Sequence, residues 1–142
     1  IDPTLIKKNT KQEKNKILEK GVSQKINSAL RKIVSTREGT AEQANVPGYD
    51  VAGKTGTAQQ VIGDKYSKLK INTFASIFPS TSPKFVLVLL LEAPKTSKDY
   101  VYKLRNSNFN LKGTPFNTAG WTSVEIVGKI IEKIGPILAT KY

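Results

Sequence analysis

One lysine in this chain stands among small and hydroxyl-bearing residues, in Val51-Ala52-Gly53-Lys54-Thr55-Gly56-Thr57-Ala58-Gln59. Glycines on both sides of Lys54 suit a backbone that must lie close to a ligand, where Cβ atoms would intrude. Two chemistries compete for the stretch. Gly48 to Thr55 matches G-x-x-x-x-G-K-[ST], in which loop amides and a lysine cradle phosphates. Lys54-Thr55-Gly56-Thr57 can instead be a strand that offers a cation and hydroxyls to a bound molecule.

Composition removes several other chemistries. The 142 residues contain no histidine and no cysteine, which excludes Cys/His metal sites, thiol catalysis and a Ser-His-Asp triad within this chain. Nothing in the sequence calls for a metal or a cofactor. The length fits one domain or a piece of one, and 38% hydrophobic residues can support a core. The net charge of +12 favours solubility and draws the chain to anionic surfaces. No apolar run approaches the roughly 20 residues of a membrane span, and no signal peptide is visible. The chain has no methionine and begins at Ile1, so it reads as a fragment or a processed product.

The elements that must position Lys54 follow from patterning. Residues 1–20 are polar and lysine-rich and read as a basic linker or extended arm. No aromatic residue interleaves those lysines to stack on a base, so nucleic acid is not an expected partner. Val22, Ile26, Ala29, Leu30, Ile33 and Val34 recur at helical spacing, predicting a helix over 22–37 that Gly39 ends. Val51 to Val61 is a predicted strand, 63–70 a basic connection, and Asn72 to Phe78 a second strand with Phe74, Ser76 and Phe78 on one side. The unbroken run Phe85–Leu91 predicts a strand buried on both faces. The turn from Pro79 to Lys84 is too short for a crossover helix, so the second and third strands are antiparallel neighbours. Residues 95–117 read as a long polar loop with turn formers at Asn106, Asn108 and Gly113. Thr122 and Glu125 form a capping-box pair before a final helix with the stripe Val124, Val127, Ile131, Ile134 and Leu138. Ile130 and Ile137 widen the stripe, and Gly135-Pro136 is expected to interrupt the helix. The fold class is α+β: an antiparallel sheet with flanking helices.

These flanks disfavour the phosphate loop. It needs a buried strand before the loop and a helix beginning at its lysine, but residues 40–47 make a poor central strand and Thr55-Gly56-Thr57 poor helix.

The flanks fit another pattern. The chain resembles the C-terminal part of the transpeptidase domain of class B penicillin-binding proteins. Gly48 to Gln59 looks like that family's Lys-Thr-Gly signature on its strand, and Glu38-Gly39-Thr40-Ala41 like the segment before it. Asn72 to Pro79, then Pro83 to Lys95, look like the next two strands. Thr118-Ala119-Gly120-Trp121 with the helix to Leu138 looks like the closing segment of the septal, cell-division branch. The resemblance covers residues 21–142 as part of one transpeptidase domain, of the penicillin-binding and serine β-lactamase-like fold.

The resemblance implies a serine D,D-transpeptidase that cross-links peptidoglycan stem peptides and is acylated by β-lactam antibiotics. Lys54 would be catalytic, supplying positive charge to the substrate carboxylate and helping proton transfer around the serine. Gly53, Thr55, Gly56 and Thr57 would bind substrate. The parent is expected at the periplasmic face of the cytoplasmic membrane, anchored there and working with division proteins. Ser67-Lys68-Leu69-Lys70 spells Ser-x-x-Lys, but it follows the signature strand where the family places its nucleophile well upstream, so Ser67 reads as a surface serine. No Ser-x-Asn occurs. The chain is therefore expected to form no penicillin adduct by itself. The alternatives are a noncatalytic β-lactam-sensing relative and, less favoured, a nucleotide-binding protein.

Overall fold

The computed structural model describes residues 17–19, 21–105, 107–113 and 116–141. The predicted basic arm and Asn106 therefore lie almost wholly outside the described residues. The elements in chain order are α1 (Val22–Ser35), β1 (Ala52–Ile62), β2 (Lys65–Phe78), β3 (Phe85–Glu92), β4 (Val101–Lys103), β5 (Asn110–Lys112) and α2 (Ser123–Lys141). Short 3-10 turns at Glu42–Ala44 and Ala119–Trp121 precede β1 and α2. β1, β2 and β3 form one antiparallel sheet in that order, and β4 and β5 form a separate hairpin.

The register explains the core. Thr55 pairs with Phe74 and Phe74 with Leu89, while Gly53 pairs with Ser76 and Ser76 with Leu87. Alternation puts all of these on one face. Phe74, Ser76 and Phe78 are buried there, as their spacing predicted. α1 and α2 cover that face through Val34, Val124, Val127 and Ile131, which are all fully buried. Asn72, also fully buried, ties the sheet to the start of α2. Its side-chain amide donates to Asn117 Oδ1 (2.8 Å) and Thr122 Oγ1 (3.0 Å), and its carbonyl accepts from the Ser123 hydroxyl (2.8 Å).

Several expectations are corrected. The apolar run Phe85–Leu91 buries one face, not two: Val86, Val88 and Leu90 are 74%, 57% and 58% exposed. Both helices pack on the same side of the sheet, and the other side is open along β3, while at the start of β1 Ala52 is buried on it. The basic connection at 63–70 is mostly strand. Gly63 and Asp64 make a two-residue turn, Gly63 at φ +61, and β2 starts at Lys65. The loop at 95–117 contains the β4–β5 hairpin, whose three-residue strands are too short to show a period. The capping box does not form. Thr122 Oγ1 donates to the Thr118 carbonyl and accepts from Asn72, while the Glu125 carboxylate accepts from the Tyr100 hydroxyl and pairs with Lys129. α2 runs through Pro136 to Lys141, because packing outweighs the one hydrogen bond a proline removes. Ile137 is 58% exposed and falls outside the stripe.

Candidate functional site

The signature lies inside a strand, with no helix beginning at Lys54, so the phosphate-loop geometry is not formed. β1 is an edge strand: β2 pairs with one side of it, and among the described residues no strand pairs with the other. The five predicted site residues divide between the two faces of that strand.

Lys54 and Gly56 point to the open face. Lys54 pairs with Ala75, which pairs with Val88, and Gly56 pairs with Thr73, which pairs with Leu90. Lys54 is exposed and its Nζ donates to the Thr55 carbonyl at 2.8 Å. A Cβ on Gly56 would meet Thr73 only at 3.8 Å, so glycine at 56 leaves room beside the lysine without being forced by packing.

Gly53, Thr55 and Thr57 point to the helix face. A Cβ on Gly53 would lie 2.5 Å from the Ala75 carbonyl oxygen and 2.7 Å from the Phe74 ring. The core, rather than a ligand, therefore demands this glycine. The Thr55 hydroxyl lies 3.1 Å from that of Thr40, and the Thr57 hydroxyl accepts from the Ala119 amide at 3.0 Å. Both hydroxyls expected to face a substrate are thus engaged by the chain's own loops. The two loops also meet each other, since a Cβ on Gly120 would come within 2.8 Å of the Thr40 carbonyl oxygen. Together they clamp the signature strand from behind.

A second group fixes the start of β1. Asp50 takes φ +47, and its Oδ2 accepts from the Ser80 hydroxyl (2.6 Å) and the Thr81 amide (3.2 Å). Arg31 pairs with Asp50 at 2.8 Å and donates to the Val51 carbonyl (2.7 Å) and Asn45 Oδ1 (2.9 Å). The Ser80 hydrogen bond, opposed by burial and helped by Thr81 and Arg31, holds the Asp50 carboxyl below its ordinary range. Sequence reasoning passed over Thr40, Asp50, Arg31 and Ala119 as site supports. The available signal was Asp50 itself, a charged residue placed between a Gly-Tyr turn and the signature strand.

Away from the signature, a polar cleft of about 780 Å³ separates the β4–β5 hairpin from α2 and α1. Six of the charges in or beside it are paired, Arg105 with Glu132, Lys129 with Glu125, and Arg31 with Asp50, while Lys103 also lines it. Burial and the Glu125 hydrogen bond push the Tyr100 phenol up. Burial alone would lower Lys129, but Glu125 and Tyr100 outweigh it and hold that ammonium up. This arrangement stitches the hairpin to α2.

Ser67 and Lys70 sit on β2, three residues apart in an extended strand whose register against β1 shifts over this stretch. Ser67 Oγ accepts from the Leu69 amide at 3.1 Å. The tetrapeptide lacks the helical turn that would bring serine and lysine together.

With this geometry in hand, comparison with known proteins is informative. Residues 1–110 match the penicillin binding protein transpeptidase domain. A probable peptidoglycan D,D-transpeptidase FtsI of Caulobacter vibrioides is 31% identical over 121 residues, covering 77% of this chain and 18% of that protein. Stage V sporulation protein D of Bacillus subtilis is 36% identical over 99 residues, 67% of this chain and 15% of that protein. The chain thus spans under a fifth of these relatives. Among solved structures, penicillin-binding protein 3 of Mycobacterium tuberculosis aligns with a TM-score of 0.54 at 31% identity, covering 79% of this chain and 24% of that one. The transpeptidase domain of penicillin-binding protein 3 from Burkholderia pseudomallei aligns at 0.56 and 23% identity, covering 80% and 29%, a likeness of fold.

Proposed function

This chain belongs to the penicillin-binding protein transpeptidase domain family, and from that premise we propose that it is the part of a serine D,D-transpeptidase that carries the Lys-Thr-Gly-Thr strand. The observation that carries the reading is the open face of the sheet. There Lys54 and Gly56 stand beside an uncovered apolar row, Val86, Val88 and Leu90. An apolar face of this kind that also carries a lysine across one intervening strand fits a surface on which the remainder of the domain packs, bringing its nucleophilic serine to Lys54.

In that setting the serine attacks the acyl-donor carbonyl, forms an acyl-enzyme and releases the leaving group. An amine of a second stem peptide then takes the acyl group and frees the serine. Lys54 supplies positive charge to the donor's carboxylate and eases proton transfer at the serine. The free edge of β1 receives the donor as an added strand, which makes the glycine at 56 useful for close approach. Thr55 and Thr57 act first by holding the strand against Thr40 and Ala119, and Gly53 by letting the strand lie on Phe74. β-Lactams enter as acyl donors that stay bound. The FtsI-named relatives support septal peptidoglycan cross-linking as the setting; a membrane-anchored parent facing the periplasm among division proteins is part of the proposal. Among the described residues no helix is long and apolar enough to cross a membrane.

The test is labelling of the full-length protein with a fluorescent penicillin, followed by peptide mapping. The adduct should map outside Ser67, and Ser67→Ala should label like wild type. Lys54→Ala should acylate on the order of 10²-fold more slowly. An adduct on Ser67, or wild-type protein that never labels, would refute the proposal.

A further inference from the structure

β1 and β2 continue well past the signature. β3 pairs with β2 only between Ile71 and Phe78, whereas β1 and β2 pair on out to Ile62 and Lys65, across a register shift between Gln59 and Val61. Residues 59–70 thus project as a two-stranded ribbon beyond the three-stranded sheet. Such a ribbon is marginal in water by itself, and its exposed side chains are unusual for a solvated turn. Val61 is 59% exposed, Ile62 61%, Tyr66 78% and Leu69 46%. Lys65 and Lys68 stand among them, exposed, with Asp64 as the acid of the turn. Val61 and Tyr66 share one face of the ribbon tip, and Ile62 and Lys65 the other, so apolar side chains stand on both faces with cations near them.

Its position gives it a partner. The free edge of β1 that bears Lys54 to Thr57 runs on without interruption of the strand through Ala58 to Ile62, a further ~16 Å at strand spacing. A chain added along the signature edge and continuing in the same direction meets the ribbon. Resting on the reading above, we propose that the ribbon is a second binding surface for peptidoglycan: it holds carboxylate-bearing stem peptides outside the reaction centre. Lysines meet the carboxylates, and Val61 with Tyr66 on one face and Ile62 on the other cover the aliphatic parts of peptides lying against either face. A lipid surface offers the same combination of charge and apolar matter, but it does not follow from continuity with the signature edge.

Two variants of the full-length protein separate these ideas. One carries Lys65→Glu and Lys68→Glu, and the other Val61→Ser, Ile62→Ser and Tyr66→Ser. A charge-matched control carries Lys32→Glu and Lys133→Glu, exposed residues of α1 and α2. The probes are purified insoluble sacculi, vesicles of anionic phospholipid, and fluorescent penicillin. Both ribbon variants should bind sacculi about tenfold more weakly while acylating at the wild-type rate, and the control should bind as wild type. Equal losses in the control would show charge alone at work and overturn the proposal. So would unchanged sacculus binding, ribbon-dependent binding to vesicles in place of sacculi, or loss of acylation in the ribbon variants. Wild-type protein that is never acylated would refute the transpeptidase reading and leave the sacculus comparison to decide the ribbon by itself.

Discussion

Gly53 and Gly56 differ by three positions and belong to one motif, yet the structure assigns them different duties. Gly53→Ala places a methyl 2.5 Å from the Ala75 carbonyl oxygen, where ordinary contact begins near 3.4 Å. The paired strands must part by close to an ångström, and the Phe74 ring, at 2.7 Å and fully buried, must also leave its position. Overpacking of a filled core costs about 1–3 kcal/mol. Replacing a strand glycine returns roughly 0.5–1 kcal/mol through the unfolded chain. The net loss is about 1–2 kcal/mol, which for a domain of this size lowers Tm by several degrees. Gly56→Ala meets only Thr73, at 3.8 Å, and should stay within about 0.5 kcal/mol of wild type. Its methyl would instead occupy the open face beside Lys54, so its effect should appear in penicillin acylation. Thermal melts followed by circular dichroism, run beside acylation rates, measure both quantities. If Gly53→Ala melts within a degree of wild type, or Gly56→Ala loses as much stability, the division of the motif between two faces is wrong.

Two further outcomes follow from the supports of the strand. Asp50 has its carboxyl held down in the folded state, so the unfolded chain binds more protons as pH falls through the carboxylate range. Its contribution is present above the unfolded value of about 3.9 and is lost as pH drops below it. Asp50→Asn should therefore unfold at lower urea than wild type at pH 7, with the gap closing towards pH 2; a gap independent of pH would contradict this. Thr40→Val removes the partner of the Thr55 hydroxyl. It should slow acylation about three- to tenfold with little change in Tm, and Thr40→Ser should restore the rate. A Tm loss that tracks the rate loss, without rescue by serine, would reduce Thr40 to a packing residue.

Local patterning carried much of this architecture. The α1 helix, the strand through Lys54 and the shared face of Phe74, Ser76 and Phe78 all follow from period and neighbours, although of the α1 stripe only Val34 is buried and Ile26 and Ala29 are exposed. The antiparallel pairing of β2 and β3 followed from the shortness of the turn between them. What failed depends on partners distant in sequence. Lys65 to Leu69 looks like a loop because nothing nearby announces that it pairs with β1, although Gly63-Asp64 directly after Val61-Ile62 is itself a hairpin signal. Phe85–Leu91 is apolar at every position, so its pattern cannot say which face this chain covers. Glu125 sits where a capping box wants it, but Tyr100 and Lys129 claim its carboxylate. For the site, residue types located Lys54 and its neighbours. They could not say that Thr55 and Thr57 turn towards Thr40 and Ala119, because alternation fixes direction only once the register with β2 is known.

The uniform apolarity of β3 has a consequence for handling the protein. Seven consecutive residues of high β propensity, without charge, glycine or proline, form the composition of a self-associating segment. Here they lie at a sheet edge with alternate side chains facing solvent. Lys84 before the run and Glu92 after it stand where gatekeeper charges restrain such segments. Neutralising either one should cost soluble yield during production well before it costs anything in the melting curve of the protein that survives.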